Sequence, residues 1–388
     1  MTQPRPRRER PRLVHVTTTD MSLDWLLGPQ LRAFADAGYE VIGMSAAGPH
    51  VAALEALGVH HVAVPGFTRS TDPRQDVRAF VQLLRLLREL RPDIVHTHNP
   101  KPGVLGRIAG WVARVPLIVN TQHGLYAQPG DRWQRRWPVY AVERVASAFG
   151  DVELVQNPED VDTLVHTLRI PQRKVRLLGN GVDLDRFDPV SIPTQTVRSL
   201  RRSWGADEDD TVCCVVGRLV EEKGIVEVLD AAHSIALTGA NIKFVIIGPS
   251  DPDKADAVDD AMLARAEADG CVILGRRDDM AECYAASDLF VTASWREGVP
   301  RAAMEAAAMG LPIVATDIRG NRQVVADKRT GLLGPLRNPA ALADAVLDLA
   351  RDPERRLRFG EAARLLAAAE FDQQRVIERT LAAYELLG

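Results

Sequence analysis

A chain of 388 residues, 46% hydrophobic and 26% charged, has the balance of an ordinary globular protein and the length for two or three cores. Its net charge of −4 advertises no nucleic-acid surface, and it contains no run of about 18 apolar residues to cross a bilayer. Its four cysteines (Cys213, Cys214, Cys271, Cys283) include no C-x-x-C pair. Buried thiols in a reducing, cytoplasmic compartment are therefore expected, not a disulfide framework or a zinc site.

The opening MTQPRPRRERPR carries five arginines with no apolar stretch behind them, so a secretory signal is not expected. A disordered basic tail is the plainer reading, and weak attraction to an anionic membrane is the sharper one. Short β-branched runs then alternate with helical patterns, the signature of a parallel sheet covered on both faces. In the first half the runs are LVHVTTT, YEVIGMSA, HHVAVP, IVHTH, LIVNTQH and VELVQN. The clearest helix is VRAFVQLLRLLREL, closed by Pro92. The pattern restarts after LLGNGVDLDRFDPVSIPTQ with VCCVVGRL, IKFVIIGP, CVILGR, LFVTAS and PIVATD.

Two α/β units of Rossmann-like, doubly wound type follow from this, residues 1–187 and 188–370, with the two-proline stretch 188–195 as linker. A last helix within 371–388 follows a break at Glu370–Phe371–Asp372. It can close the second unit or cross back to the first, and periodicity does not choose. Parallel sheets bind ligands beyond the carboxyl ends of their strands, so a cleft between two facing units is the expected place for chemistry.

Two segments carry charge to such strand ends. VCCVV runs into GRLVEEKG, which sets Arg218 at a strand terminus and Lys223 five residues on, two cations suited to a diphosphate. A surface Arg and Lys on a polar loop is the plain alternative. In SWREGVPRAAMEAAAMG, Pro300 reads as the first residue of a helix, whose free amides near Val299, Arg301 and Ala302 form an anion site. Glu297 precedes that helix and Glu305 lies one turn inside it, where apolar neighbours would bury it.

These segments resemble the retaining GT-B glycosyltransferases of family four. GRLVEEKG, the E-G-V-P loop, the two glutamates, NGVDLDRFDP at the junction and HTHNPKPG in the first half occur in that family's order, across residues 12–385. The resemblance implies that Arg218 and Lys223 hold a donor diphosphate. Glu305 would grip the ribose, and Glu297 the sugar hydroxyls with the amides after Gly298. Gly275 and Arg276 would lie near the base. His123, in NTQHG, would approach donor sugar and acceptor, while Asn180 and Asp183 are structural. The first loop departs from the family: TTTDMSLDW replaces a glycine pair and puts Asp20 and Asp24 where an acceptor would approach.

The chemistry implied is transfer of a sugar from a nucleotide sugar, with uridine favoured as base and guanosine next, to a glycan, lipid-linked or small-molecule hydroxyl. Configuration would be retained by front-face attack, with no metal and no further cofactor. A covalent route would need a carboxylate beneath the anomeric carbon, and none is evident. Asp-x-Asp strings at 160–162, 183–185 and 251–253 read as solvated. His96 and His98 share one strand face, but without an evident third ligand they read as lining residues. The absence of G-x-G-x-x-G after the first strand and of a P-loop disfavours an oxidoreductase and a triphosphatase. A nucleotide-sugar 2-epimerase and a silent binding subunit are the alternatives, and products from nucleotide sugar alone separate them.

Residues 128–144 combine Arg132, Arg135, Arg136 and Arg144 with Trp133, Trp137 and Tyr140. Peripheral contact with the inner membrane face is one reading. A helix starting near Pro138 with Trp137 and Tyr140 in its core is the preferred one.

Overall fold

The computed structural model describes residues 9–68, 72–98, 100–251 and 254–387. The first eight residues of the basic tail and Asp253 lie outside these. The chain divides into two compact units, Met1–Gly179 with Arg375–Gly388, and Asn180–Gln374. The stretch 188–195 lies inside the second unit, where Asp188 caps a short turn at Pro189–Ser191 by accepting from the Val190 amide.

The first unit holds seven parallel strands: β1 (Arg12–Thr19), β2 (Glu40–Ala46), β3 (His60–Ala63), β4 (Ile94–His98), β5 (Leu117–Gln122), β6 (Val152–Val155) and β7 (Val175–Leu177). Their order is β3-β2-β1-β4-β5-β6-β7. The second holds six, β8 (Thr211–Val216), β9 (Ile242–Ile247), β10 (Val272–Gly275), β11 (Leu289–Thr292), β12 (Ile313–Thr316) and β13 (Gly331–Gly334), in the order β10-β9-β8-β11-β12-β13. Helices on both faces explain why the central strands are apolar on both sides, as in CCVV of β8. Each fully buried Leu, Ile or Val contributes about 1.5–3 kcal/mol. The edge strands β7 and β13 were not predicted: β7 has only three residues, and β13 reads GLLG, with glycines at both ends.

Strand order reverses between β1 and β4 in one sheet and between β8 and β11 in the other. These are the points where loops diverge to opposite faces and leave a crevice at the strand ends. The chain folds so locally for simple reasons. The helix Pro73–Leu90, for example, is capped by Asp72 accepting from the Arg74 amide and stops at Arg91, which is left-handed at φ 48° just before Pro92.

The last helix, Gln373–Tyr384, belongs to the first unit. Val376, Ile377, Ala383 and Tyr384 pack into the core with Leu13, Phe34 and Val119, and Arg379 donates to the Leu178 carbonyl at 2.9 Å. Below β5 and β6, Arg107 is fully buried with Glu153 (2.6 Å) and Glu143 (2.7 Å). Asn120 donates to the second oxygen of Glu153, and both carboxylates face the Arg107 guanidinium. The four cysteines are free and buried.

Candidate active site

In the second unit the predicted charges gather at the β8/β11 switch point. Gly217 leaves β8, and a turn at Glu221–Lys223 ends on Gly224, at φ 68°. A Cβ on Gly224 would stand 2.1 Å from the Ala293 carbonyl oxygen, so only glycine lets this turn lie against the end of β11. That approach places Lys223 Nζ 2.5 Å from Glu297 Oε1, which also accepts from Ser294 Oγ at 3.1 Å. From the other side Gly320 is also tight: a Cβ there would meet Glu297 at 2.7 Å. Thr316 Oγ1, donating to the Ser294 carbonyl at 2.7 Å, ties the same loop to β12. Gly320, Ser294 and Thr316 were missed by sequence reasoning, and only the small residues around D-I-R-G-N hinted at them.

Arg218 gives one of its five N–H donors to Asp251 at 2.8 Å and is about a third exposed. Asp251 is thus an ion-pair partner, which corrects its reading as a solvated residue. Asp160 is corrected likewise: it is fully buried and accepts from the Leu125 amide at 3.1 Å. Asp183 accepts from the Asp185 and Arg186 amides and so caps a turn. Asn180 donates to the Val299 carbonyl at 3.2 Å.

The helix after the E-G-V-P loop runs Arg301–Ala308, with Pro300 as its cap residue and not, as expected, its first helical one. Glu305, 9% exposed, accepts from Arg301 Nε at 3.0 Å and from the Tyr284 hydroxyl at 3.1 Å. Burial pushes its carboxyl above the usual range, and Arg301 and Tyr284 partly offset that. Tyr284 was not among the site residues expected from the sequence. Val299, Gly298 and Ala302 flank this helix start. Gly275, at φ 63° on the end of β10, accepts from the Gly248 amide at 2.8 Å, and Arg276 beside it pairs with Asp278. The structure therefore joins Lys223 to Glu297 and Arg301 to Glu305. Arg218 stands on the Lys223 loop, and Arg276 lies two strands away.

In the first unit, the β1–β4 register sets His15 beside His96, and the strand pleat adds His98 on the same face. His98 Nδ1 lies 2.9 Å from His123 Nε2, and His98 Nε2 lies 3.0 Å from His15 Nδ1. His96 contacts the Tyr384 hydroxyl at 2.6 Å and the Thr121 hydroxyl at 2.7 Å. A third histidine thus stands where the sequence offered a pair, with ring nitrogens of His15, His96 and His98 within 4.8 Å of one another. Tetrahedral zinc with bonds of about 2.05 Å would hold two such nitrogens about 3.4 Å apart. The 3.0 Å contact between facing nitrogens is a hydrogen bond instead. Burial lowers His123 to about 4 and His15 to about 3, and pushes His96 and His98 well down.

Asp20 accepts from the Met21 and His50 amides, and Asp24 lies 2.8 Å from His50 Nδ1. Both carboxylates therefore anchor the 48–50 turn. In the basic-aromatic segment the helix is Trp133–Ser147, with Pro138 inside it. Tyr140 is buried, but Trp133 (65%) and Trp137 (52%) are exposed, which corrects the placing of Trp137 in the core.

Two Rossmann-like units, with paired cations and glutamates at a switch point, define a GT-B glycosyltransferase. Residues 197–366 match the family model Glycosyl transferases group 1 and residues 30–186 match Glycosyltransferase Family 4, and the chain belongs to that family of enzymes. It is similar to the GDP-mannose-dependent alpha-mannosyltransferase of Mycobacterium tuberculosis, at 32% identity over 80% of this chain and 77% of that one. It is also similar to the UDP-Gal:alpha-D-GlcNAc-diphosphoundecaprenol alpha-1,3-galactosyltransferase of Escherichia coli, at 29% identity over 74% of each. Its fold matches that of Anabaena Alr3699/HepE solved with UDP: TM-score 0.79, 18% identity, 97% of this chain and 99% of that one.

The histidine column ties stability to pH. Unfolded imidazoles take up protons near 6.5, whereas His123 and His15 do so only near 4 and 3. Between these values the unfolded chain binds more protons, so stability is complete above 6.5 and is lost as pH falls towards 4. Each histidine contributes a slope of up to about 1.4 kcal/mol per pH unit. Urea unfolding of the wild type and His123→Asn at pH 7 and pH 5 measures this. The wild type is expected to lose more stability than the variant, and equal losses would contradict neutral burial.

Proposed function

We propose that this enzyme transfers a sugar from a nucleotide-sugar donor, with uridine diphosphate the favoured carrier, and retains anomeric configuration. The observation that carries the reading is the Lys223–Glu297 contact at the β8/β11 switch point, beside the start of the helix Arg301–Ala308. Lys223, Arg218 and the amides at the start of that helix supply positive potential for a diphosphate without calling on a metal. Glu297, fixed by Lys223 and Ser294, presents acceptor oxygens to the donor sugar's hydroxyls. Glu305 keeps lone pairs beyond its bonds to Arg301 and Tyr284 for the ribose. Gly275 and Arg276 stand at the end of β10, two strands from β8, for the base.

In the step itself the bond from the anomeric carbon to the phosphate oxygen breaks, and the acceptor oxygen bonds to the same face of that carbon. The acceptor's proton passes to the departing diphosphate oxygen, so no side chain need act as base. Lys223 and Arg218 stabilise the charge gathering on that diphosphate. His123, neutral at working pH, orients hydroxyls.

The acceptor is proposed to be lipid-linked, as the name of the E. coli relative states for that protein. The first unit supports this. Trp133, Trp137, Val142 and Val145 are exposed on one helix with Arg132 and Arg135 beside the tryptophans. Next to them lies an apolar groove of about 280 Å³, lined by Val104, Leu125, Tyr126 and Val139. Aromatic and basic side chains together suit an anionic bilayer surface.

Thermal melts with UDP, GDP and ADP, with and without magnesium, test the donor site. A ligand at a hundred times its Kd adds about 2.7 kcal/mol to the native state. One diphosphate, UDP on this reading, is expected to raise the melting temperature without metal. Arg218→Ala, Lys223→Ala and Glu305→Ala should each shrink that rise relative to their own unliganded melts. Shifts that survive all three substitutions would place the nucleotide elsewhere. For the membrane reading, co-sedimentation with vesicles containing anionic phosphatidylglycerol is expected to fall in Trp133→Ser/Trp137→Ser. Equal sedimentation of the two proteins would sink it.

A further inference from the structure

The buried histidines of the first unit form one unbroken line of hydrogen bonds that nothing in the transfer step requires. From the surface inward it runs from His123 Nε2 to His98 Nδ1 (2.9 Å), and from His98 Nε2 to His15 Nδ1 (3.0 Å). From His15 Nε2 it passes to the Tyr384 hydroxyl (3.3 Å), then to His96 Nδ1 (2.6 Å), and from His96 Nε2 to Thr121 Oγ1 (2.7 Å). His15, His96 and His98 are at most 3% exposed, while His123 keeps some exposure at the open end. Tyr384 arrives from the far end of the sequence on the last helix, and among the described residues His15 and His96 are the hydrogen-bond partners of its hydroxyl.

A neutral imidazole has one donor and one acceptor, so each ring in such a line passes its polarity to the next. Two senses satisfy every link, with all four rings protonated on Nε2 or all four on Nδ1. Tyr384 selects between them. If it accepted from both neighbours, its own proton would be buried without an acceptor, a costly arrangement. It therefore donates to one and accepts from the other. A phenol O–H donating to nitrogen suits the short 2.6 Å contact, and an imidazole N–H donating to oxygen suits the longer 3.3 Å one.

We propose that Tyr384 is a positioning residue for His123: its hydroxyl, donating to His96 and accepting from His15, sets the sense of the whole line and holds His123 as the Nε2–H tautomer. His123 Nδ1 is then an acceptor, so the group that His123 orients is a hydrogen-bond donor, such as a sugar hydroxyl. The depressed imidazole pKa values agree with a line of neutral rings. The tautomer stands on the geometry alone, and only its effect on turnover rests on the glycosyl-transfer reading.

The test is a long-range proton–nitrogen correlation spectrum of the full-length protein labelled with ¹⁵N-histidine, which separates Nδ1–H, Nε2–H and imidazolium forms. In the wild type at pH 7, His15, His96, His98 and His123 are all expected as Nε2–H. Tyr384→Phe keeps the ring against Phe34 and Tyr39 but removes the hydroxyl. In it, His15, His98 and His123 should become tautomer mixtures. Nucleotide release from UDP-glucose, UDP-galactose or UDP-N-acetylglucosamine, whichever turns over, should lose on the order of 10-fold in kcat with KM for the donor unchanged. A wild-type His123 found as Nδ1–H or as imidazolium overturns the proposal. So does a Tyr384→Phe variant that keeps pure Nε2–H rings, and in that case transfer activity still stands. A tautomer change in protein that turns over no nucleotide sugar supports the proposal and counts against the functional reading instead.

Discussion

The contact on which the candidate site depends is the one between Lys223 and Glu297, 2.5 Å apart at the carboxyl ends of neighbouring strands. Neither residue is near the other in sequence. They meet because strand order reverses between β8 and β11, and because Gly224 and Gly320 remove the side chains that would hold the loops apart. Once Lys223 neutralises one oxygen of Glu297 and Ser294 donates to it, the E-G-V-P loop has a defined path. The helix Arg301–Ala308 then starts with its amides at the strand ends. A donor-rich corner of paired charges is thus fixed by backbone geometry before any ligand is considered, which is the condition for electrostatic stabilisation at low reorganisation cost.

The first unit uses the same sheet topology for a different end. Its switch point carries neutral imidazoles in place of fixed charges, kept neutral by burial and joined by hydrogen bonds between strands in register. The two units thus differ in kind: the second gathers paired permanent charges at its switch point, and the first gathers uncharged polar groups. A protonated histidine in that column would carry a buried charge with no carboxylate among the described residues acting on His15, His96 or His98, so it is avoided at neutral pH.

Much of this was legible in the sequence, and the exceptions have physical causes. The β-branched runs, the restart of the pattern and the strand-end positions of Arg218, Lys223, Glu297 and Glu305 depend on local spacing, which sequence displays. Partners set by tertiary approach were not legible. Asp251 read as one acid in a polar string, but folding sets it against Arg218. Tyr284 and Arg301 supply the bonds that let Glu305 be buried. His15 joined His96 only through the register of β1 with β4, and Tyr384 joined both from the last helix, whose destination periodicity left open. Trp137 and Tyr140 sit in one helix that starts earlier than Pro138 suggested, and its turn carries one inward and the other out.

The central claim is that the donor is held by the second unit at the β8/β11 switch point. Amide hydrogen exchange with and without UDP, read peptide by peptide, tests it most directly. The account predicts slower exchange in 217–224 and 294–305, where the amides and side chains proposed to meet the diphosphate lie, and little change across β1 to β3. Protection absent from both segments while UDP binds, or centred on the first sheet, would contradict it.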